Sequence, residues 1–160
     1  PERQQAAHVH SAVPSPDDKR LLVSDLGADQ VFVYRYDPRN AERPLQPDEP
    51  ASIELPAGSG PRHLVFHPNG KHAYLALELS AQVASFDYTN GNLIRRQLLD
   101  LKDAASEVRH SPGAIHTSAD GRFLYVSDRG DYNHIIVFAI DSDGALRAIQ
   151  RRPTCVCRLR

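Results

Sequence analysis

Apolar residues in this chain come in short runs divided by polar turns, and the runs recur in a fixed order. The stretch "RHLVFHPNGKHAYLALELSAQVASFDY", Arg62 to Tyr88, shows the pattern most plainly. One run leads into Pro68-Asn69-Gly70-Lys71. A second follows at Ala73-Tyr74-Leu75 and, past a polar break, a third at Val83-Ala84-Ser85-Phe86. Asn-Gly tolerates positive φ and closes tight hairpins, so the first two runs read as antiparallel neighbours. A weaker fourth strand, Leu93 to Leu99, follows the turn at Asn90-Gly91-Asn92. β-Branched and aromatic residues fill these runs, as pleated, half-buried strands require.

The same grammar occurs twice more. "HSAVPSPDDKRLLVSDLGADQVFVYRYD" runs from His10 to Asp37, with strands at Leu21-Leu22-Val23 and Val31-Phe32-Val33-Tyr34. "GAIHTSADGRFLYVSDRGDYNHIIVFAID" runs from Gly113 to Asp141, with strands at Phe123 to Val126 and Ile135 to Phe138. The turn falls at Asp18, Gly70 and Gly121, at spacings of 52 and 51 residues. Several short strands per unit at such a period predict an all-β propeller, each unit one four-stranded antiparallel blade. The expected blades cover about 8–58, 59–110 and 111–150, with 151–160 an atypical tail. The proline-rich segment Pro38 to Pro50 reads as a loop before the first blade's fourth strand, because proline cannot donate to a central ladder. No long helix is expected; Ala104 to Val108 allows one turn.

Composition narrows the function. The 160 residues carry a formal net charge of −1, with no clustered basic surface of the kind nucleic acids or membranes select. No run approaches the length of a membrane-spanning helix. Cys155 and Cys157 are the two cysteines and form no disulfide framework, which makes a cytoplasmic setting the default, or a periplasmic one if a leader has been removed. The sequence lacks methionine and reads as an internal piece. His8 and His10 share one strand face but have no evident third metal ligand. His67, His72, His110, His116 and His134 read as turn or surface residues. Neither a metal nor a cofactor is expected.

Two charged residues do not suit a bland sheet. Arg62 opens the strand before the Gly70 turn and Glu78 follows the strand after it, each eight residues from the glycine. Folding about that turn brings them to one rim. The same count gives His10 and Leu26 around Asp18, and Gly113 and Arg129 around Gly121. The first strand of each blade lines a propeller's channel, so His10, Arg62, Glu78 and Arg129 gather at one mouth. This set offers one base near neutral pH, two fixed cations able to grip a phosphate or carboxylate, and one carboxylate. The same residues would also serve as a structural ring of salt bridges, Glu78 with Arg62 or Arg129.

"GSGPRHLVFHPNGKHAYLALELS", "HVHSAVPSPDDKRLLVSDLGADQVFVY" and "SADGRFLYVSDRG" resemble the lactonase family of seven-bladed propellers, which includes bacterial 6-phosphogluconolactonases and carboxymuconate cyclase. The resemblance covers about Ala7 to Gln150, three of seven blades. It implies a cofactor-free hydrolase of carbohydrate metabolism, in the pentose phosphate pathway, acting on an anionic small-molecule lactone. It also implies that the family's His, Arg, Glu and Arg fall on His10, Arg62, Glu78 and Arg129. A carboxymuconate-type cyclase or a non-catalytic interaction scaffold are the alternatives. Asp128 stands where the family often has Asn, and a carboxylate there would weaken the hold of Arg129 on an anion. Three blades leave two outer faces uncovered, with Val31 and Val33 or Ile136 and Phe138 expected to meet water. The chain alone is therefore expected to associate and to have little activity.

Overall fold

The computed structural model describes residues 2–102, 108–131 and 133–154. Three four-stranded antiparallel sheets follow one another along the chain. The first holds β1 (Val9–Pro14), β2 (Arg20–Asp25), β3 (Gln30–Tyr36) and β4 (Leu45–Glu54). The second holds β5 (Pro61–Phe66), β6 (His72–Leu77), β7 (Gln82–Thr89) and β8 (Asn92–Asp100). The third holds β9 (His110–Thr117), β10 (Phe123–Gly130), β11 (His134–Ile140) and β12 (Leu146–Pro153). In every sheet neighbours in sequence are neighbours in space, and β5 lies between β1 and β9. This is the expected propeller sector. A short 3₁₀ turn, Glu2–Gln4, precedes it.

The apolar periodicity explains how the blades stack. Side chains alternate across a strand with period two. On β6, Ala73, Leu75 and Leu77 enter a core shared with Leu22 and Val31 of the first blade. The residues between them, Tyr74 and Ala76, enter a second core with Leu124, Val126, Ile136 and Phe138 of the third. Both faces of the middle blade are covered, so its central strand is a continuous apolar run. Burying each Leu side chain contributes roughly 1.5–3 kcal/mol.

Val31, Val33, Ile136 and Phe138 were expected on the outward faces, but all four are buried. The alternate residues turn outward instead: Phe32 and Tyr34 on the first blade are half-buried, and Tyr125 on the third is exposed. The proline-rich segment also differs from expectation, because β4 begins at Leu45 and contains Pro47 and Pro50. As the edge strand, β4 has a free side where a missing N–H costs nothing. Its ladder to β3 breaks between Phe32 and Tyr34, opposite the prolines. The last strand runs three residues past Gln150, and Arg151 Nη1 donates to the Leu101 carbonyl at 2.7 Å. Cys155 and Cys157 lie outside the described residues, as does the turn expected over Ala104–Val108 except for Val108 itself.

The hairpin turns also set the spacing between blades. Gly121 adopts φ +73°, and a Cβ there would lie 2.6 Å from His67 Nε2 of the preceding blade. His67 Nε2 in turn lies 2.9 Å from the Gly121 carbonyl oxygen.

Candidate active site

Each inner strand carries an irregularity at the same level, near the rim opposite the hairpin turn. In the first blade the register shifts between Val9 and Ser11, and His10 occupies the bulge. In the second it shifts between Pro61 and Leu64, around Arg62 and His63. In the third the shift lies between Val126 and Asp128, where the Ala114 N–H donates to Ser127 Oγ at 2.8 Å. A bulge re-aims side chains without ending the sheet. The hairpin pairs one residue short of a count centred on Gly121, with Leu124 opposite Thr117, and the bulge shifts the register by one more, so Arg129 pairs with Ser111 rather than with the expected Gly113. The third inner strand correspondingly starts at His110.

Glu78 is the centre of this rim. Its N–H donates to the Gly60 carbonyl at 2.7 Å, which fixes it immediately past β6. Arg62 Nε lies 2.8 Å from Oε2, a charge contact without hydrogen-bond alignment. Arg129 Nη2 lies 3.1 Å from Oε1. Ser111 Oγ donates to Oε1 at 3.2 Å, and Arg3 Nη1 donates to the same oxygen at 2.6 Å. The rim pairing of Arg62 with Glu78 is thus the one expected, and Arg129 joins it from the next blade.

His10 stands beside this cluster, partly buried, within the fields of Arg62, Glu78 and Arg3. Burial and then the Arg62 cation hold its pKa below 6.5, with Glu78 pulling the other way. His63 is lowered in the same way, by burial first and then by Arg62 and His10. Arg62 Nη1 lies 3.3 Å from both of its ring nitrogens. Burial raises the Glu78 carboxyl, but the hydrogen bond and charge of Arg3, with the charges of Arg129 and Arg62, outweigh it and hold the group below its ordinary value. The result is an ionised carboxylate, guanidinium groups and neutral imidazoles at one mouth: proton acceptors next to anion-binding donors.

Several members escape a reading of the sequence. Arg3 and Ser111 carry no motif signal. His63 adjoins Arg62, yet alternation would have sent it to the other face. His110 was expected at a turn or surface and is buried, its Nδ1–H donating to Asp128 Oδ2 at 2.5 Å. His72 lies 3.1 Å from Asp87, and His67 bridges two blades, so these too do more than cover a surface. Asp128 does not face the anion side of Arg129 as expected. Adjacent strand residues point to opposite faces, and its other oxygen accepts the Ser111 N–H at 2.9 Å. Among the described residues no group of three or more His, Cys, Asp or Glu is placed to hold a metal ion.

Comparisons with known proteins bear on the family and the fold. The chain is 38% identical over 155 residues to the 6-phosphogluconolactonase of Formosa agariphila, covering 94% of this chain and 43% of that protein. It is 33% identical over 156 residues to the 6-phosphogluconolactonase of Bacillus subtilis, at 96% and 43% coverage. The solved structure of a periplasmic gluconolactonase from Pseudomonas aeruginosa superposes with a TM-score of 0.91 at 53% identity, covering 94% of this chain and 42% of that one. The chain thus spans less than half the length of these relatives. Residues 1–156 match the family described as "Lactonase, 7-bladed beta-propeller", and the chain belongs to that lactonase family.

Proposed function

We propose that the protein carrying this chain hydrolyses a sugar lactone, with 6-phosphogluconolactone as the leading substrate. The observation that carries this reading is the ionised Glu78 held between Arg62 and Arg129 beside a neutral His10. His10 takes a proton from water as the oxygen adds to the lactone carbonyl carbon. Arg62, the less exposed cation, faces the charge that develops on the carbonyl oxygen. The ring C–O bond then breaks, and the leaving alkoxide takes its proton from the His10 imidazolium. The product is an open-chain hydroxy acid. Glu78 aligns both guanidinium groups, and Arg129 holds the substrate's anionic group.

The relatives named 6-phosphogluconolactonase support the phosphorylated substrate, and a cytoplasmic setting goes with that reading. The P. aeruginosa structure, whose protein is named a periplasmic gluconolactonase, favours a second reading, an uncharged gluconolactone hydrolysed outside the cytoplasm. Steady-state hydrolysis of 6-phosphogluconolactone and of glucono-δ-lactone by the intact protein separates them. A higher kcat/KM on the phosphorylated lactone supports the first reading and a higher value on the neutral lactone the second. Hydrolysis of neither rejects both.

A further inference from the structure

Arg3 reaches the site from outside the blade repeat. It sits on the 3₁₀ turn Glu2–Gln4 of the first blade's leading segment, and its partner Glu78 belongs to the second blade. The segment behind it is firmly seated. Gln4 Nε2 donates to the Leu26 carbonyl at 3.0 Å, and the His8 N–H donates to Asp25 Oδ1 at 2.8 Å. Gly27 makes room for it: a Cβ on Gly27 would lie 1.8 Å from the Ala6 carbonyl oxygen. Any other residue at position 27 would push the segment off and carry Arg3 away from the mouth.

The charges at the mouth do not cancel. Three guanidinium groups meet one carboxylate, an excess of two positive charges in a chain whose formal net charge is −1. The nearby Asp128 carboxylate is engaged by His110 and the Ser111 N–H. The three cations are not equivalent. The Arg62 side chain is 17% exposed, whereas those of Arg3 and Arg129 are 52% and 48% exposed, although both contact the same Glu78 oxygen. Two half-open guanidinium forks converging on one point fit a phosphate monoester, which has up to two negative charges and three acceptor oxygens.

We propose that Arg3 is a specificity-determining residue which, with Arg129, receives the phosphate of a phosphorylated lactone. The proposal rests on the lactonase reading above. It leaves Arg62, the inner cation, to the carbonyl end of the substrate, and it separates the anion receptor from the reacting centre.

The test compares wild type, Arg3→Gln and Arg3→Lys in the intact protein, with kcat and KM measured on 6-phosphogluconolactone and glucono-δ-lactone. Arg3→Gln is expected to raise KM on the phosphorylated lactone with kcat little changed. The ratio of kcat/KM between phosphorylated and neutral lactone should fall about tenfold, and Arg3→Lys should recover part of it. Equal losses on both lactones, or an unchanged ratio, would overturn the proposal. Calorimetric binding of 6-phosphogluconate keeps the two readings distinguishable. If wild type hydrolyses neither lactone, the lactonase reading fails. In that case weaker 6-phosphogluconate binding by Arg3→Gln still supports the phosphate receptor, and unchanged or absent binding rejects it.

Discussion

His110 donates from Nδ1 to Asp128 Oδ2 across 2.5 Å, and both side chains are sealed from solvent. The other Asp128 oxygen takes the N–H of Ser111, whose hydroxyl reaches Glu78 and lies 3.3 Å from Arg129 Nη2. A buried carboxylate thus fixes two successive residues of β9 directly behind the rim cluster.

Removing that carboxylate takes the acceptor away from the His110 Nδ1–H and from a backbone N–H. Asp128→Ala is expected to cost about 3 kcal/mol, and Asp128→Asn less, because the amide oxygen still accepts from Ser111. Denaturant midpoints of the two variants check this. Equal stability of Asp128→Ala and wild type would contradict the role assigned to the pair.

Glu78 links stability to acidity. Its folded-state pKa lies below the ordinary value of 4.5, so the folded protein binds this proton more weakly than the unfolded chain does. Its contribution is complete above the unfolded value and is lost as pH falls through the folded one. Wild type should melt higher than Glu78→Gln at neutral pH. The gap should hold steady down to roughly pH 5 and shrink in more acid solution. A gap that widens on acidification would refute this sign.

For the chemical step, His10→Ala is expected to lower kcat by about 10²-fold or more. A general base must be deprotonated, so activity rises with pH through the pKa of His10, which burial and Arg62 place below 6.5. The acid limb of the kcat/KM profile should therefore have its midpoint below 6.5. Undiminished turnover in a folded His10→Ala variant would assign the base elsewhere.

Two glycines separate backbone strain from packing between blades. Gly58 and Gly121 both have positive φ, but a Cβ on Gly58 meets nothing within 4 Å, whereas on Gly121 it meets the His67 ring. Gly58→Ala should cost roughly 1 kcal/mol from the left-handed backbone alone, and Gly121→Ala roughly 1 kcal/mol more. Chemical denaturation of both variants measures the difference, and equal costs would show that the His67 ring yields freely.

The blades were legible in the sequence because two local signals coincide: period-two runs, and Asp-Asp, Asn-Gly and Asp-Gly turns at nearly constant spacing. The shared rim of Arg62 and Glu78 was legible for the same reason, since similar distances from a turn bring two residues to one end of a hairpin, although the ladder pairs Pro61 with Leu77 and sets Glu78 against Gly60. In the third blade the count misses by two residues, one at the turn and one at a bulge that no composition marks, so Ser111 takes the place of Gly113. Arg3 was illegible because it lies outside the repeat and acts across blades. His110 and Asp128 look like ordinary polar strand-end residues until tertiary packing closes over them. Pro47 and Pro50 misled because edge position, unlike proline content, is a property of the whole sheet.

The alternation along β6 also governs how the sector comes apart. The middle blade has no core of its own: one set of its side chains belongs to the interface before it and the other to the interface after it. Melting therefore cannot be confined to that blade, because losing it dissolves both interfaces at once. Opening of the first or the third blade forfeits only one of these two interfaces. Amide protons of β6 should accordingly report the global transition, while β4 and β12, at the sheet edges, fray first. The Glu78 carboxylate sits one residue beyond β6, so the group that organises the rim hangs from the segment that is last to let go.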